Sequence, residues 1–389
     1  MNLPATDEMI AKLIAIPSIS SFDKALDTSN LAVCTRLADY LETAGARVAL
    51  HDVKDRKGKY NLIARFGEGP PGLALCGHTD TVPFDDARWQ HDPFGAQRVD
   101  EKMYGLGSAD MKGFLAICAG VLAAERADSL QRQVIVLGSA DEETGMFGAR
   151  SLVADGAPLA PFALIGEPTS LTPIRQHKGI FMEQIRLRGR SGHSSNPALG
   201  ANAIDALHEV LGALKDWRRE LADRFPDPAF GVPMPTLNFG HISGGDNPNR
   251  ICAQASLHLD VRLMPGMTVA ATRAALRERV MDTVRGSGVE AHFEVLFEGV
   301  NPLSTAADAD LVRHCEQLSG RPAGCVNFGT EAPFYTELGA QSVVFGPGDI
   351  DLAHQPDEYL DLNQVAPTQA AVRALIDRYC RQGVASPAP

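Results

Sequence analysis

Short apolar runs that stop abruptly in charged side chains recur through the first 175 residues. "LALCG" (73–77), "VIVLGSA" (134–140) and "FALIGE" (162–167) are too short for helices and apolar on both faces, which predicts strands covered from both sides. Between them lie segments with helical spacing. These are "DEMIAKLIAI" (7–16), "SNLAVCTRLADYLETAG" (29–45, with Gly45 as its C-terminal cap) and "FLAICAGVLAAE" (114–125), which sets Leu115, Cys118, Ala119 and Leu122 on one stripe. Strand–helix–strand alternation of this kind predicts an α/β fold, a mostly parallel sheet flanked by helices.

The middle of the chain has another rhythm. "IFMEQIRLRGRSG" (180–192) alternates as a two-sided strand does, and "PTLNFGHISGG" and "ASLHLDVRLMPG" read as antiparallel strands. A helix is predicted after "SSNP", with Asn196 as N-cap, Pro197 at its first position, and Leu199, Ala203, Leu207, Leu211 and Leu214 as its apolar stripe. A second helix is predicted at 268–285. The first pattern then returns with "SVVFGPG" and a helix at about 363–381. The chain therefore reads as a discontinuous catalytic domain, 1–177 and 296–389, interrupted by a smaller α+β antiparallel-sheet domain at 178–295.

A net charge of −12 argues against nucleic acid or an anionic membrane as partner, since both call for clustered Lys and Arg. The longest apolar stretch, "FLAICAGVLAA", is too short to span a bilayer, and "MNLPATDEMI" lacks the pattern of a secretory signal. Seven cysteines with no Cys-x-x-Cys pair fit a reducing compartment, so a cytoplasmic protein is expected.

The candidate chemistry sits just past the strand ends. His78 and Asp80 follow the first run, Asp110 closes "GLGSADMKG", Asp141, Glu142 and Glu143 follow "VIVLGSA", Glu167 follows "FALIG", and His354 lies in "FGPGDIDLAHQPDEY". Separations of 32, 33 and 24 residues along His78, Asp110, Glu143 and Glu167 are each about one strand–helix unit. Ligands of open α/β sheets bind outside the carboxyl ends of the strands, so these side chains can share one site. Imidazoles and carboxylates together suit zinc. A nucleotide site is disfavoured because "GLGSAD" has Asp110 where a third glycine belongs, and "GRSGHS" is not the G-x-S-x-G of serine hydrolases.

Taken together, "LALCGHTDTVP", "GLGSADMKGFLA", "SADEETG", "GEPT" and "LAHQPDEY" resemble the co-catalytic zinc amidohydrolases, over nearly the whole chain. The resemblance implies two divalent metal ions, zinc with cobalt as the alternative. His78, Asp110 and Glu167 would hold one ion, and His354, Asp110 and Glu143 the other. It implies that Asp80 orients His78, that Glu142 is the general base, and that His193 in "GRSGHSSNP" crosses from a neighbouring subunit's insert to stabilise the oxyanion, which requires a homodimer formed through the inserted domain. Asn249 and Arg262 would grip the α-carboxylate of a small N-acyl amino acid. "GTEAPF" offers Thr330 and Glu331, the latter as a partner for a substrate ammonium. The stretches 242–268 and 327–334 look closest to members that hydrolyse N2-acetyl-L-ornithine in arginine biosynthesis. Deacylation of N-succinyl-diaminopimelate, N-acetylcitrulline or neutral N-acyl amino acids by the same mechanism is the alternative, and a non-enzymatic metal binder has no use for Glu142.

Overall fold

Residues 71–78 form a strand because almost every side chain in the run is apolar and can be covered on both faces. In the computed structural model, which describes residues 3–156 and 159–382, Gly72 to His78 are all buried. Residues 1–2, 157–158 and 383–389, which fall in the expected discontinuous domain, lie outside the described residues. The chain divides into two units, Met1–Arg175, Thr305–Gly324 and Thr330–Pro389 in the first, Gln176–Ser304 and Cys325–Gly329 in the second. The boundary expected at 295/296 is displaced for a physical reason. It falls inside the strand Glu290–Val300, whose ladder with Gly179–Arg188 holds the chain in the second unit's sheet as far as Val300.

In the first unit, strands run side by side in the order Arg47–Asp52, Tyr60–Phe66, Gln133–Ser139, Pro71–His78, Phe162–Ile165, Gln341–Val344. The last three pairings are parallel and the first two antiparallel, so the sheet is mixed with a parallel centre. The helix Lys112–Ala124 is apolar on nearly every side and correspondingly buried. It packs against Thr6–Ile14, Leu31–Thr43 and Val365–Ile376. Gly166 lets it approach, because a Cβ there would lie 2.0 Å from the Phe114 ring. Parallel register places His78 opposite Ser139 and Cys76 opposite Ile165, so the chain leaves the central strands along one edge of the sheet. All seven cysteines are free thiols. No helix among the described residues is long and apolar enough to cross a membrane.

The second unit is a four-stranded antiparallel sheet in the order Thr236–Gly244, Gln254–Leu263, Gly179–Arg188, Glu290–Val300. The period-two pattern of Gln254–Leu263 buries Leu257, Leu259 and Val261 with Leu207, Val210, Leu214, Leu276 and Val280 of the helices Ala203–Arg224 and Val269–Val284. Buried Glu183 accepts a hydrogen bond from Arg273 Nε at 2.8 Å and fastens the second helix to the sheet. The helix start differs from expectation. Asn196 and Pro197 open a single tight turn, Pro197–Leu199, that ends at extended Gly200, and Leu199 is exposed. The long helix begins at Ala203, capped by Asn202, whose side chain accepts from Ile204 N at 2.9 Å. Asn202→Ala should therefore cost about 1 kcal/mol in chemical denaturation, and Asn196→Ala less. The reverse order would restore Asn196 as the cap.

Candidate metal centre

His78 ends its strand fully enclosed, and its two ring nitrogens meet different partners. Nδ1 lies 3.0 Å from the Asp80 carbonyl oxygen, which can only accept, so Nδ1 carries a proton. Nε2 then faces Asp110 Oδ1 at 2.9 Å and Glu167 Oε2 at 4.0 Å. On the other side of Asp110, His354 Nε2 lies 3.6 Å from Oδ2 and 2.9 Å from Glu143 Oε2. His78, Asp110 and Glu143 each present a ligand atom within 4.8 Å of the others. The structure thus brings together His78, Asp110, Glu143, Glu167 and His354, drawn from five separate strand ends and loops of the first unit.

Asp110 precedes the helix Lys112–Ala124 without capping it, since Met111 occupies the N-cap position. Its backbone is held instead by Glu358, whose buried carboxylate accepts from Gly107 N (3.1 Å), Ala109 N (2.8 Å) and Asp110 N (3.1 Å). Burial, with the nearby Asp110 charge, pushes Glu358 up to about 7. Glu358 lies in "AHQPDEY", and its three amide partners, 248 to 251 residues away, leave no local signal in the sequence.

Asp80 has two sets of partners. Its carboxylate is 3.7 Å from His78 Nδ1, whereas its two oxygens accept from Glu142 N and Glu143 N, each at 3.2 Å. The main chain of Asp80 holds the imidazole, and its side chain holds the turn Glu142–Gly145. Burial raises the Asp80 carboxyl to about 7, against the pull of His78.

Charge is the dominant feature. Burial pushes Glu142 well above the ordinary carboxylate range. His78 pulls it back, and Glu167, Glu143 and Glu331 push it further. Glu167 is likewise raised by burial and then by Asp110. Burial pulls His78 down, but the Asp110 hydrogen bond and charge outweigh it and leave the imidazole well above its usual value. The Glu143 hydrogen bond lifts His354 to about 9. An imidazole nitrogen 2.9 Å from a carboxyl oxygen needs a proton shared between them or a cation that both ligate. So many anions around two imidazoles, one carboxylate flanked by both, form a donor set that fits divalent zinc, with protons competing for the same lone pairs.

Glu331 is buried in the first unit. One oxygen accepts from Ser139 Oγ (2.6 Å) and Tyr335 OH (2.7 Å), and the other, Oε1, has no partner. Thr330 is buried beside it. His193, Asn249 and Arg262 belong to the second unit. His193 is exposed, with Nδ1 2.7 Å from Ser195 Oγ, and Ser194 N donates to Asn249 O at 3.1 Å, so two distant motifs become neighbours. The Arg262 fork is engaged by Asp260, Nε to Oδ1 at 2.9 Å and Nη2 to Oδ2 at 3.2 Å.

The model of peptidase family M20/M25/M40 matches residues 74–378. The chain is 45% identical over 381 residues to the acetylornithine deacetylase of Edwardsiella ictaluri, covering 98% of this chain and 99% of that one. Among solved structures, it resembles an aminopeptidase from Bacillus cereus with a TM-score of 0.75 at 18% identity, over 96% of this chain and 98% of the other. It also resembles a dinuclear metal-binding M20 peptidase of Bacillus subtilis, TM-score 0.64 at 17% identity, over 95% and 97%.

Proposed function

The chain belongs to peptidase family M20/M25/M40, and on that premise we propose that it is a metal-dependent amidohydrolase converting N2-acetyl-L-ornithine into L-ornithine and acetate. The observation that carries the substrate is the 45% identity to an acetylornithine deacetylase over 98% of the chain. The reaction class also draws support from the cluster around Asp110.

His78, Asp110 and Glu167 would hold one divalent ion and His354, Asp110 and Glu143 the other, zinc in our reading and cobalt as the alternative such ligands accept. Bound there, the pair supplies an acidified water and a positive pole for the amide carbonyl. Glu142 takes the proton that the water loses as its oxygen bonds to the carbonyl carbon, and delivers it to the nitrogen as the C–N bond breaks. Asp80 fixes Glu142 for that transfer through the amide it holds. His193 donates a hydrogen bond to the carbonyl oxygen as negative charge builds on it. Asn249 and Arg262 bind the α-carboxylate, with Arg262 turning part of its fork from Asp260 to the substrate. Thr330 lines the site beside Glu331, whose unpartnered Oε1 faces a substrate ammonium.

We assign His193 to the partner subunit's site, in a homodimer joined through the second unit. Thr236–Gly244 is the outermost strand of its sheet, and an unpaired edge is a template for another chain. Ile242 within it is 51% exposed and Ile204, in the helix Ala203–Arg224, 44%, an apolar surface suited to cover. The reaction belongs in the cytoplasm, where seven free thiols stay reduced.

A hydrolysis panel on metal-loaded protein tests the reading. N2-acetyl-L-ornithine should give the highest kcat/KM among itself, N-acetylcitrulline, N-succinyl-diaminopimelate and neutral N-acetyl amino acids. Preference for any other substrate replaces the assignment. Exhaustive chelation should abolish turnover, and zinc returned at about 100 times its Kd should restore it while stabilising the fold by about 2.7 kcal/mol in calorimetry. Full activity of the chelated protein would remove the metal from the mechanism.

A further inference from the structure

We propose that Lys59 is a positioning residue for the turn that carries Glu142 and Glu143: its ammonium clamps Asp141, the residue that aims both. The proposal rests on the roles given above to those two carboxylates.

Asp141 has φ of +57°, a left-handed conformation that a non-glycine residue adopts only when its surroundings hold it there. Its carboxylate is fully buried, and what holds it is a compact set of charges. Lys59 Nζ lies 2.8 Å from Asp141 Oδ1 and 2.7 Å from Asp27 Oδ1, with only 2% of its side chain exposed. Arg56 Nε lies 2.7 Å from Asp141 Oδ2, with its guanidinium over the Phe147 ring. Two cations face two carboxylates, so the set is neutral and Asp141 adds no net charge to the anionic cluster beside it.

The same set is wired to the other catalytic loop. Ser20 Oγ donates to Asp141 Oδ1 at 3.0 Å and lies 2.7 Å from Thr144 Oγ1, inside the turn. The Ser20 amide donates to Thr81 O (2.9 Å) and the Thr81 amide to Ser18 O (3.0 Å), bracing the residue next to Asp80. Asp80 in turn holds the amides of Glu142 and Glu143. From beneath, Asn61 accepts from Ala140 N (3.2 Å) and donates to Gly148 O (2.9 Å). Without Lys59, a buried carboxylate would stand half-compensated next to Glu142 and Glu143, and the left-handed residue that aims them would lose one of its two cationic anchors.

The test uses the full-length protein. Lys59→Met should lower kcat for amide hydrolysis about 10–100-fold with KM nearly unchanged, and weaken zinc by a similar factor at one of two sites in titrations of metal-free protein. Lys59→Arg, which keeps the charge, should recover most of both. Wild-type kcat and zinc affinity in Lys59→Met, with only a lower thermal midpoint, would overturn the proposal and leave Lys59 a structural ion pair. Should Lys59→Met not fold, the Lys59→Met/Asp141→Asn pair removes the stranded charge and should still lose kcat and zinc affinity; normal values there overturn it equally. If the wild-type protein hydrolyses no N-acyl amino acid, the functional reading fails on its own, and the zinc titrations still decide the role of Lys59.

Discussion

Glu142→Ala should keep its divalent metal and lose about 10²–10⁴ in kcat, the range expected when a positioned general base is removed. The first half follows from geometry. Glu142 lies outside the imidazole–carboxylate contacts that gather around Asp110, and its amide, which Asp80 holds, survives the substitution. The second half follows from its surroundings. Burial among Glu167, Glu143 and Glu331 raises its proton affinity, and two bound cations would draw it back toward neutrality, where a base that must both accept and release a proton works best. Metal analysis alongside steady-state kinetics checks both halves, and near-normal turnover would take the role of base from Glu142.

His193→Ala should cost about 10²–10³ in kcat, as for loss of one oxyanion donor, with no change in metal content. Mixing supplies the sharper measurement. Each site would draw Glu142 from one protomer and His193 from the other, so neither inactive variant has a working site alone. Unfolded and refolded together, Glu142→Ala and His193→Ala protomers should regain about a quarter of wild-type activity, because half the dimers are mixed and each of those has one intact site. No recovery on mixing would return His193 to its own subunit or to a purely local role, such as the contact it makes with Ser195.

The parts of the site legible in the sequence are those that covalent order displays. An apolar run that ends at or just before His78, Glu143 or Glu167 announces a strand that brings a polar side chain to the sheet edge, and the parallel register sets His78 opposite Ser139 and Cys76 opposite Ile165. Partners supplied from far along the chain were not legible. Nothing near Asp110 hints that Glu358 will collect its amide, and nothing near Asp141 marks Arg56 as its counterion. Asp80 shows an intermediate case. Its neighbourhood to His78 was visible, but the use of its carboxylate depends on where the Glu142 and Glu143 amides point. Local rules also competed with one another. Asn196–Pro197 is a good helix start, yet Gly200 breaks the turn it opens, and Asn202 makes the start that lasts. Arg262 reads as a free fork in "DVR" until Asp260, two residues earlier, is seen to occupy it.

The first unit is sewn from segments on either side of a long insertion, and this dictates when the centre can come into being. Synthesis releases the chain from its N-terminus, so His78, Asp110, Glu143 and Glu167 leave the ribosome while the strand Gln341–Val344 and His354 are still to be made. The insertion can close its own sheet in the meantime, but the parent sheet waits for the strand Gln341–Val344, which arrives almost last. Capture of the second ion, which would need His354, is therefore an event of the finished polypeptide, whereas a nascent chain already carries His78, Asp110 and Glu167 but not the strand that completes the sheet beside them.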